Sequence, residues 1–170
     1  MKQLYFVRHG LSEANKSGHI AGQHTETPLS PEGRDQARAA GERARTLNIQ
    51  YIITSPQERA QHTAQIIAET IQLPPPSIEV NSLFVERGYG KLEGTLWSPD
   101  LNVDGFADVE LTDTLLHRMH VAYQFLLGVP HDTVLVVGHG AMGRALRHVI
   151  HPNIPFNTKP FPNAQIVQLV

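Results

Sequence analysis

An arginine and a histidine stand side by side at the end of an apolar segment, in the stretch LYFVRHGLSEAN. The guanidinium of Arg8 carries a permanent charge and matches the oxygens of a phosphate, while a neutral imidazole at His9 offers a nucleophilic nitrogen. A second arginine, Arg59, follows the apolar segment 51–54, and a second histidine, His139, follows the apolar run TVLVVG. Two guanidinium groups with two imidazoles suit the binding and transfer of a phosphoryl group.

These four side chains meet only if the strands that precede them share one sheet. β-branched or apolar runs bounded by turn residues predict strands at residues 4–7, 51–54, 133–138 and 166–170. Helical periodicity fills most of the intervals between these runs. Because ligands of open α/β sheets bind outside the carboxyl ends of the strands, the two arginines and two histidines are predicted to converge there.

Capping signals predict where two of the helices begin. In LSPEGRDQARAAGERARTL, Ser30 is predicted to cap a helix that has proline in its first position. In SPQERAQHTAQIIAETI, Ser55 and Glu58 are predicted to form a capping box. Further helices are predicted at residues 113–127 and 142–150.

The order of these elements predicts an α/β fold with three layers, in which a mostly parallel sheet is flanked by helices. With 170 residues, 41% of them hydrophobic, the chain can bury one substantial core, so residues 1–170 are predicted to form a single domain. Residues 96–112 are the least regular part and carry acidic but no basic side chains. They are predicted to form a short flap beside the site; an ordinary solvated loop is the alternative.

Composition excludes several classes of protein. A formal charge of -2 and a pI near 6.5 give no basic footprint, so neither nucleic acid nor membrane is a predicted partner. The absence of cysteine excludes disulfides and thiolate metal sites. The N-terminal apolar run is too short for a signal sequence or a membrane span, and a cytoplasmic location is predicted. The sequence assigns no oligomeric state.

Four motifs in order, RHGLSEAN, TSPQERAQHTA, VERGYGKLEG and VGHGAMGRAL, resemble the successive signatures of the histidine phosphatase superfamily, also called phosphoglycerate mutase-like. The resemblance covers nearly the whole chain. It implies that His9 is the nucleophile that becomes phosphohistidine, and that Arg8, Arg59 and His139 form the phosphate pocket. Gly140, beside a predicted helix N-terminus, is assigned to phosphate binding with them.

The resemblance also implies that Asn15 contacts the transferred phosphoryl group and that Glu86 donates the proton. The residues alone leave alternatives open for both. Asn15 could be a turn or helix-capping residue. The carboxylate of Glu86 could pair with Arg87 or Lys91, which would leave Glu93 as the rival acid.

The implied function is hydrolysis of a phosphomonoester, on a small phosphorylated metabolite, with no metal and no cofactor. Mutases of the family commonly read ERHYG, carry tryptophan before the matching asparagine and have a long helical insertion. This chain has Gly88, Ala14 and a short excursion instead, which favours a hydrolase. A protein phosphohistidine phosphatase and a non-catalytic module that binds a phosphorylated ligand are the alternatives.

The remaining histidines and one arginine stay without an assigned role. Two pairs have i, i+3 spacing, His117 with His120 and His148 with His151. Two ligands do not make a metal site, and neither pair has an evident third, so no metal is predicted. Candidates for substrate contacts around the mouth of the site are His19, His24 and His62. Arg144 either supports the pocket or is an exposed cation on a helix.

Overall fold

One five-stranded sheet forms the centre of the computed structural model, which describes residues 1–170. The strands are β1 (Gln3–Arg8), β2 (Tyr51–Thr54), β3 (Ile78–Val80), β4 (Thr133–Gly138) and β5 (Ile166–Gln168). Their spatial order is β3-β2-β4-β1-β5, in which only β5 runs antiparallel to its neighbour. The predicted mostly parallel sheet is confirmed.

Five helices connect the strands and cover both faces of the sheet. They are α1 (Glu13–Lys16), α2 (Pro31–Ala44), α3 (Glu58–Thr70), α4 (Thr112–Leu127) and α5 (Gly140–Ile150). Alternate residues of the central strands face opposite helical layers, since Phe6 packs with α4 and α5 while Val7 packs with α2 and α3. The three-layer α/β fold predicted from the order of elements is therefore confirmed.

Close approach of backbone to backbone fixes the turn that follows β1. A Cβ atom on Gly10 would lie 2.2 Å from the carbonyl oxygen of Gly33, in the first turn of α2. A Cβ atom on Gly33 would in turn lie 2.0 Å from the carbonyl oxygen of Leu11. Only glycine fits at either position, so the turn carrying His9 rests directly on the start of α2.

The predicted start of α3 is wrong. The helix begins at Glu58 with Gln57 as its N-cap, and no side chain caps it. The backbone N–H of Glu58 donates to the carboxylate of Glu26 at 3.1 Å, which takes the place of a capping box. The hydroxyl of Ser55 is held elsewhere, by the side chains of Gln57 and His139. The Ser30 cap of α2 is confirmed, because its side chain accepts from Gly33 N.

Residues 96–111 form a loop with one short helical turn, Val103–Gly105, and Thr112, the last residue of the predicted flap, begins α4. Two of its four carboxylates form ion pairs with the scaffold: Asp104 pairs with Arg87, and Glu110 pairs with Arg118 at 2.8 Å. That this segment acts as a flap stays a prediction. None of the helices combines the length and the hydropathy that crossing a bilayer requires.

Candidate active site

A cavity of about 400 Å³ opens where β1 and β4 end. The residues assigned from sequence that line it are Arg8, His9, Asn15, Arg59, Glu86 and Gly140. His139 is fully buried behind this wall, with its ring centroid 5.1 Å from that of His9. The structure therefore brings all seven residues to the predicted edge of the sheet, six on the wall and one behind it.

The ring of His9 is fixed by the turn that carries it. Its Nδ1 lies 2.7 Å from the carbonyl oxygen of Gly10. Because a carbonyl only accepts, Nδ1 carries the proton and Nε2 keeps a free lone pair. The backbone is also held, since Gly10 N donates to Thr63 Oγ1 at 3.1 Å and Asn163 Nδ2 donates to His9 O at 2.8 Å.

The electrostatic surroundings keep this imidazole unprotonated. Burial lowers the pKa of His9 well below its ordinary value, and the positive charges of Arg59 and Arg8 lower it further. The hydrogen bond to Gly10 opposes this effect but does not outweigh it. A side chain that is 3% exposed, neutral and oriented through Nδ1 has the properties of a nitrogen nucleophile.

The two arginines of the cavity keep part of their donor capacity unused. Arg8 donates to Phe161 O at 3.2 Å and to Asn15 Oδ1 at 3.4 Å. Arg59 donates to two carbonyl oxygens of the loop 22–25. The Nε atoms of both arginines are buried without a partner, and neither guanidinium has a carboxylate within salt-bridge distance. Burial lowers the pKa of both arginines, and the more distant carboxylate of Glu86 opposes this effect. Two desolvated cations without a direct ion pair at one cavity make a site for an oxyanion.

The alternative that Asn15 caps a helix is wrong. Ser12 is the N-cap of α1, and its hydroxyl accepts from Asn15 N at 3.2 Å. The amide side chain of Asn15 is directed instead to Arg8 and lines the cavity.

The carboxylate of Glu86 lies at the N-terminus of α5. Its Oε1 accepts from the backbone N–H of Met142 at 3.0 Å, and Oε2 accepts from that of Ala141 at 3.2 Å. A Cβ atom on Gly140 would be 3.8 Å from both Arg8 Cζ and Glu86 Oε2, so the acid and the cation flank Gly140. The helix terminus, rather than a lysine or arginine side chain, holds this carboxylate.

The rival acid, Glu93, has a different place in the structure. It does not line the cavity. Its two carboxylate oxygens accept from the backbone N–H groups of Gln23, His24, Thr25 and Tyr89 at 2.8–3.2 Å. Glu93 therefore anchors the loop 22–25, which in turn accepts from Arg59.

We expect Glu93→Ala to lower the free energy of unfolding by about 2–3 kcal/mol, because several backbone donors lose a charged acceptor at once. Urea denaturation measures this change. The control is Glu69→Ala, which removes an exposed carboxylate that makes no side-chain hydrogen bond. A variant of unchanged stability would contradict the anchoring role.

Other residues of the cavity were not assigned from sequence. Its outer wall is partly apolar, with Leu11, Ile20, Trp97 and Pro160, and Trp97 is 57% exposed. Arg144 also lines it, makes no hydrogen bond to the protein and lies over the ring of Phe156 at 5.5 Å, so it belongs to the pocket. The four apolar residues come from loops, where no local pattern marks them, whereas Arg144 was a candidate from sequence and its alternative as an exposed cation away from the pocket is wrong.

The candidate histidines separate into three groups. His19 lines the cavity, whereas His24 and His62 do not. The second i, i+3 pair is bonded to backbone carbonyls, His148 to Ile154 and His151 to Leu169. No three histidine or acidic side chains are placed together as metal ligands anywhere in the chain.

The chain is similar in sequence to proteins of one known family. The sequence profile of the histidine phosphatase superfamily (branch 1) matches residues 4–170. The uncharacterized phosphatase PhoE of Bacillus subtilis is 36% identical over 156 residues, which cover 86% of this chain and 76% of the relative. The probable phosphoglycerate mutase GpmB of Klebsiella pneumoniae is also 36% identical over 156 residues, with 82% and 70% covered.

Solved structures share the fold. The open reading frame Rv3214 of Mycobacterium tuberculosis superposes with a TM-score of 0.81 at 28% identity, covering 97% of this chain and 89% of the other. A putative alpha-ribazole-5'-P phosphatase of Escherichia coli has a TM-score of 0.83 at 21% identity, covering 98% and 89%. At this lower identity the likeness concerns the fold alone.

Proposed function

The chain belongs to the histidine phosphatase superfamily, and we propose that it hydrolyses phosphomonoesters of small metabolites through a phosphohistidine formed at His9. The observation that carries the proposal is the neutral, oriented imidazole of His9 beside two buried cations with unpartnered donors. A bound phosphate would accept hydrogen bonds from these unpartnered donors. The partly apolar outer wall provides room for the organic part of the ester.

In the first chemical step, Nε2 of His9 attacks phosphorus and the bond from phosphorus to the ester oxygen breaks. Arg8 and Arg59 stabilise the charge on the three non-bridging oxygens, which move with phosphorus to His9. Glu86 gives its proton to the leaving alkoxide. The products of this step are a free alcohol, a phosphohistidine and the carboxylate form of Glu86.

In the second step, water attacks the phosphohistidine and the bond from phosphorus to Nε2 breaks. The carboxylate of Glu86 accepts a proton from this water, which restores the acid for the next cycle. Inorganic phosphate leaves, and His9 returns to its neutral form. One carboxyl group therefore serves both steps.

Hydrolysis is proposed over mutase activity, although some relatives carry mutase in their names. A mutase must retain a bisphosphate while it reorients, which requires a closed and strongly basic enclosure. Here the cavity has one further cation, Arg144, and the exposed Trp97 at its wall. Transfer of label between two hydroxyl groups of a phosphorylated substrate, followed by ³¹P NMR, would support the mutase instead.

We expect turnover of p-nitrophenyl phosphate to survive EDTA, because two guanidinium charges supply the stabilisation that Mg²⁺ supplies in other phosphotransfer sites. The measurement compares initial rates with and without the chelator, and then across a panel of metabolite phosphates and a phosphohistidine protein. Loss of activity in EDTA with recovery on adding Mg²⁺ or Zn²⁺ would contradict metal independence. Preference for the phosphohistidine protein would move the substrate to phosphoproteins.

A further inference from the structure

Gln57 is buried, with 3% of its surface exposed, and both the oxygen and the nitrogen of its side-chain amide form hydrogen bonds. Its Oε1 accepts from the backbone N–H of Glu86 at 2.9 Å and lies 3.2 Å from the hydroxyl of Ser55. Its Nε2 donates to the carbonyl oxygens of Gly22 at 2.6 Å and Gln23 at 3.3 Å. An N–H must face the amide oxygen and carbonyls must face the amide nitrogen, so only one orientation of the amide fits.

This orientation decides where the proton of His139 resides. An amide oxygen only accepts, so the hydroxyl of Ser55 must donate its single proton to Gln57 Oε1. The oxygen of Ser55 then has only lone pairs left for His139 Nε2, which lies 2.8 Å away. His139 therefore carries its proton on Nε2 and keeps a lone pair on Nδ1, which is buried without a protein partner.

We propose that Gln57 is a positioning residue, whose one amide oxygen aligns both the imidazole of His139 and the backbone of Glu86. The same amide is also linked to Arg59, because Gly22 O accepts from both Gln57 Nε2 and Arg59 Nη2, the latter at 2.8 Å. The kinetic consequences rest on the proposed phosphatase function. The hydrogen-bond assignment does not.

Replacing Gln57 removes two interactions: the one through Ser55 to His139, here called the His139 arm, and the one to the backbone of Glu86, here called the Glu86 arm. Without Oε1 as acceptor, the hydroxyl of Ser55 is free to turn and donate to His139 Nε2, which moves the imidazole proton to Nδ1. The backbone N–H of Glu86 also loses its acceptor, which loosens the segment that carries the acid. Misplacement of catalytic groups by about 1 Å costs rates of order 10²-fold, so neither arm is a minor effect.

The tautomer of His139 is measured by two-bond ¹H–¹⁵N correlation NMR, which needs no turnover. We expect a single Nε2–H form in the wild-type protein and a substantial Nδ1–H population in Gln57→Met. The control is Gln61→Met, one turn along α3, where the lost amide donates to Pro56 O and lies off the cavity. A wild-type spectrum with the proton on Nδ1 would overturn the assignment, whether or not the variants fold.

Kinetics separate positioning from simple stability. We expect Gln57→Met to slow the burst-phase phosphorylation rate by about 10- to 100-fold, with a greater loss for an alkyl than for an aryl phosphate. Ser55→Ala removes the contact to His139, together with a long 3.4 Å bond from Gln57 N, but keeps the acceptor of the Glu86 N–H. Its loss should therefore be the same for both leaving groups. The proposal would be refuted if Gln57→Met phosphorylated as fast as the wild type. It would also be refuted if Gln57→Met, Gln61→Met and Ser55→Ala all lost the same rate.

If the wild-type protein has no phosphatase activity but shows the Nε2–H form of His139, the proposed function is contradicted and the hydrogen-bond assignment is supported. If the wild-type protein is an active phosphatase but folded Gln57→Met has the same His139 tautomer, the proposed function is supported and the positioning role of Gln57 is contradicted. The two failures are therefore distinguishable.

Discussion

Replacing His9 with alanine is expected to abolish the phosphoenzyme and to lower turnover by at least about 10⁴-fold, since no other group of the site can take over as the nucleophile. The neutral Nε2 of His9 faces the cavity, whereas the ring of His139 is buried behind it. Glu86 is held by backbone donors of α5 and by that of Arg87. The remaining pocket would still bind phosphate without accepting the phosphoryl group.

Rapid quenching with a ³²P-labelled phosphomonoester measures the intermediate directly. The label should be acid-labile, as a bond from phosphorus to an imidazole nitrogen is, and should be absent from His9→Ala. The matched control is His62→Ala, because His62 lies on α3, pairs with Glu58 at 3.7 Å and does not line the cavity. Normal turnover by His9→Ala would contradict covalent catalysis at this residue.

Long-range pairing explains which parts of the fold the sequence alone predicted. The runs 51–54 and 133–138 coincide with β2 and β4, because each is apolar enough to be buried in a sheet with helices on both faces. β3 was missed. It has three residues, and only its pairing with β2 makes it a strand. Such an edge strand has no local pattern to distinguish it from a loop.

The prediction of where α3 begins was wrong for a related reason. A serine three residues before a glutamate predicts a capping box when only neighbours in sequence compete for its hydroxyl. In the fold, Ser55 is bonded instead to His139, 84 residues away, and the first N–H of the helix is met by Glu26. Contacts within the candidate site thus outweigh a local preference, as expected where several elements meet.

The candidate site likewise contains residues that the sequence could predict and residues that it could not. The residues that follow strand ends were predictable, since the carboxyl ends of parallel strands share one edge of the sheet. The role proposed for Gln57 was not, because its value depends on Gly22, 35 residues distant, and on the backbone of Glu86. Likewise, only the contacts of Glu93 with the loop 22–25 distinguish it from a catalytic acid.

Glu86→Gln and Arg59→Ala are expected to lower the rate of phosphorylation in different ways. An alkoxide is a poor leaving group that needs a proton, whereas p-nitrophenolate leaves without one. Both substrates need the positive charge of Arg59 equally, because it acts on the non-bridging oxygens of the phosphoryl group, which are the same in both esters. The carboxyl and the guanidinium are thus distinguished by their dependence on the leaving group.

Glu86→Gln is expected to slow phosphorylation by an alkyl phosphate about 10²-fold or more, with a smaller loss for p-nitrophenyl phosphate. The glutamine keeps one oxygen that can accept from Met142 N and Arg87 N, while the N–H of Ala141 loses its acceptor. Arg59→Ala is expected to slow both substrates by about 10²- to 10³-fold. Arg38→Ala is the control for loss of a positive charge, since Arg38 is exposed and pairs with Asp35 on α2.

Burst-phase rates are the measurement to make, because in the proposed mechanism Glu86 also activates water in the second step, and steady-state rates combine the two steps. The ratio of alkyl to aryl phosphorylation rates should fall in Glu86→Gln and stay constant in Arg59→Ala. Equal losses for the two leaving groups in Glu86→Gln would refute its role as the acid. A selective alkyl-phosphate defect in Glu93→Gln instead would assign the proton to Glu93, against its place outside the cavity.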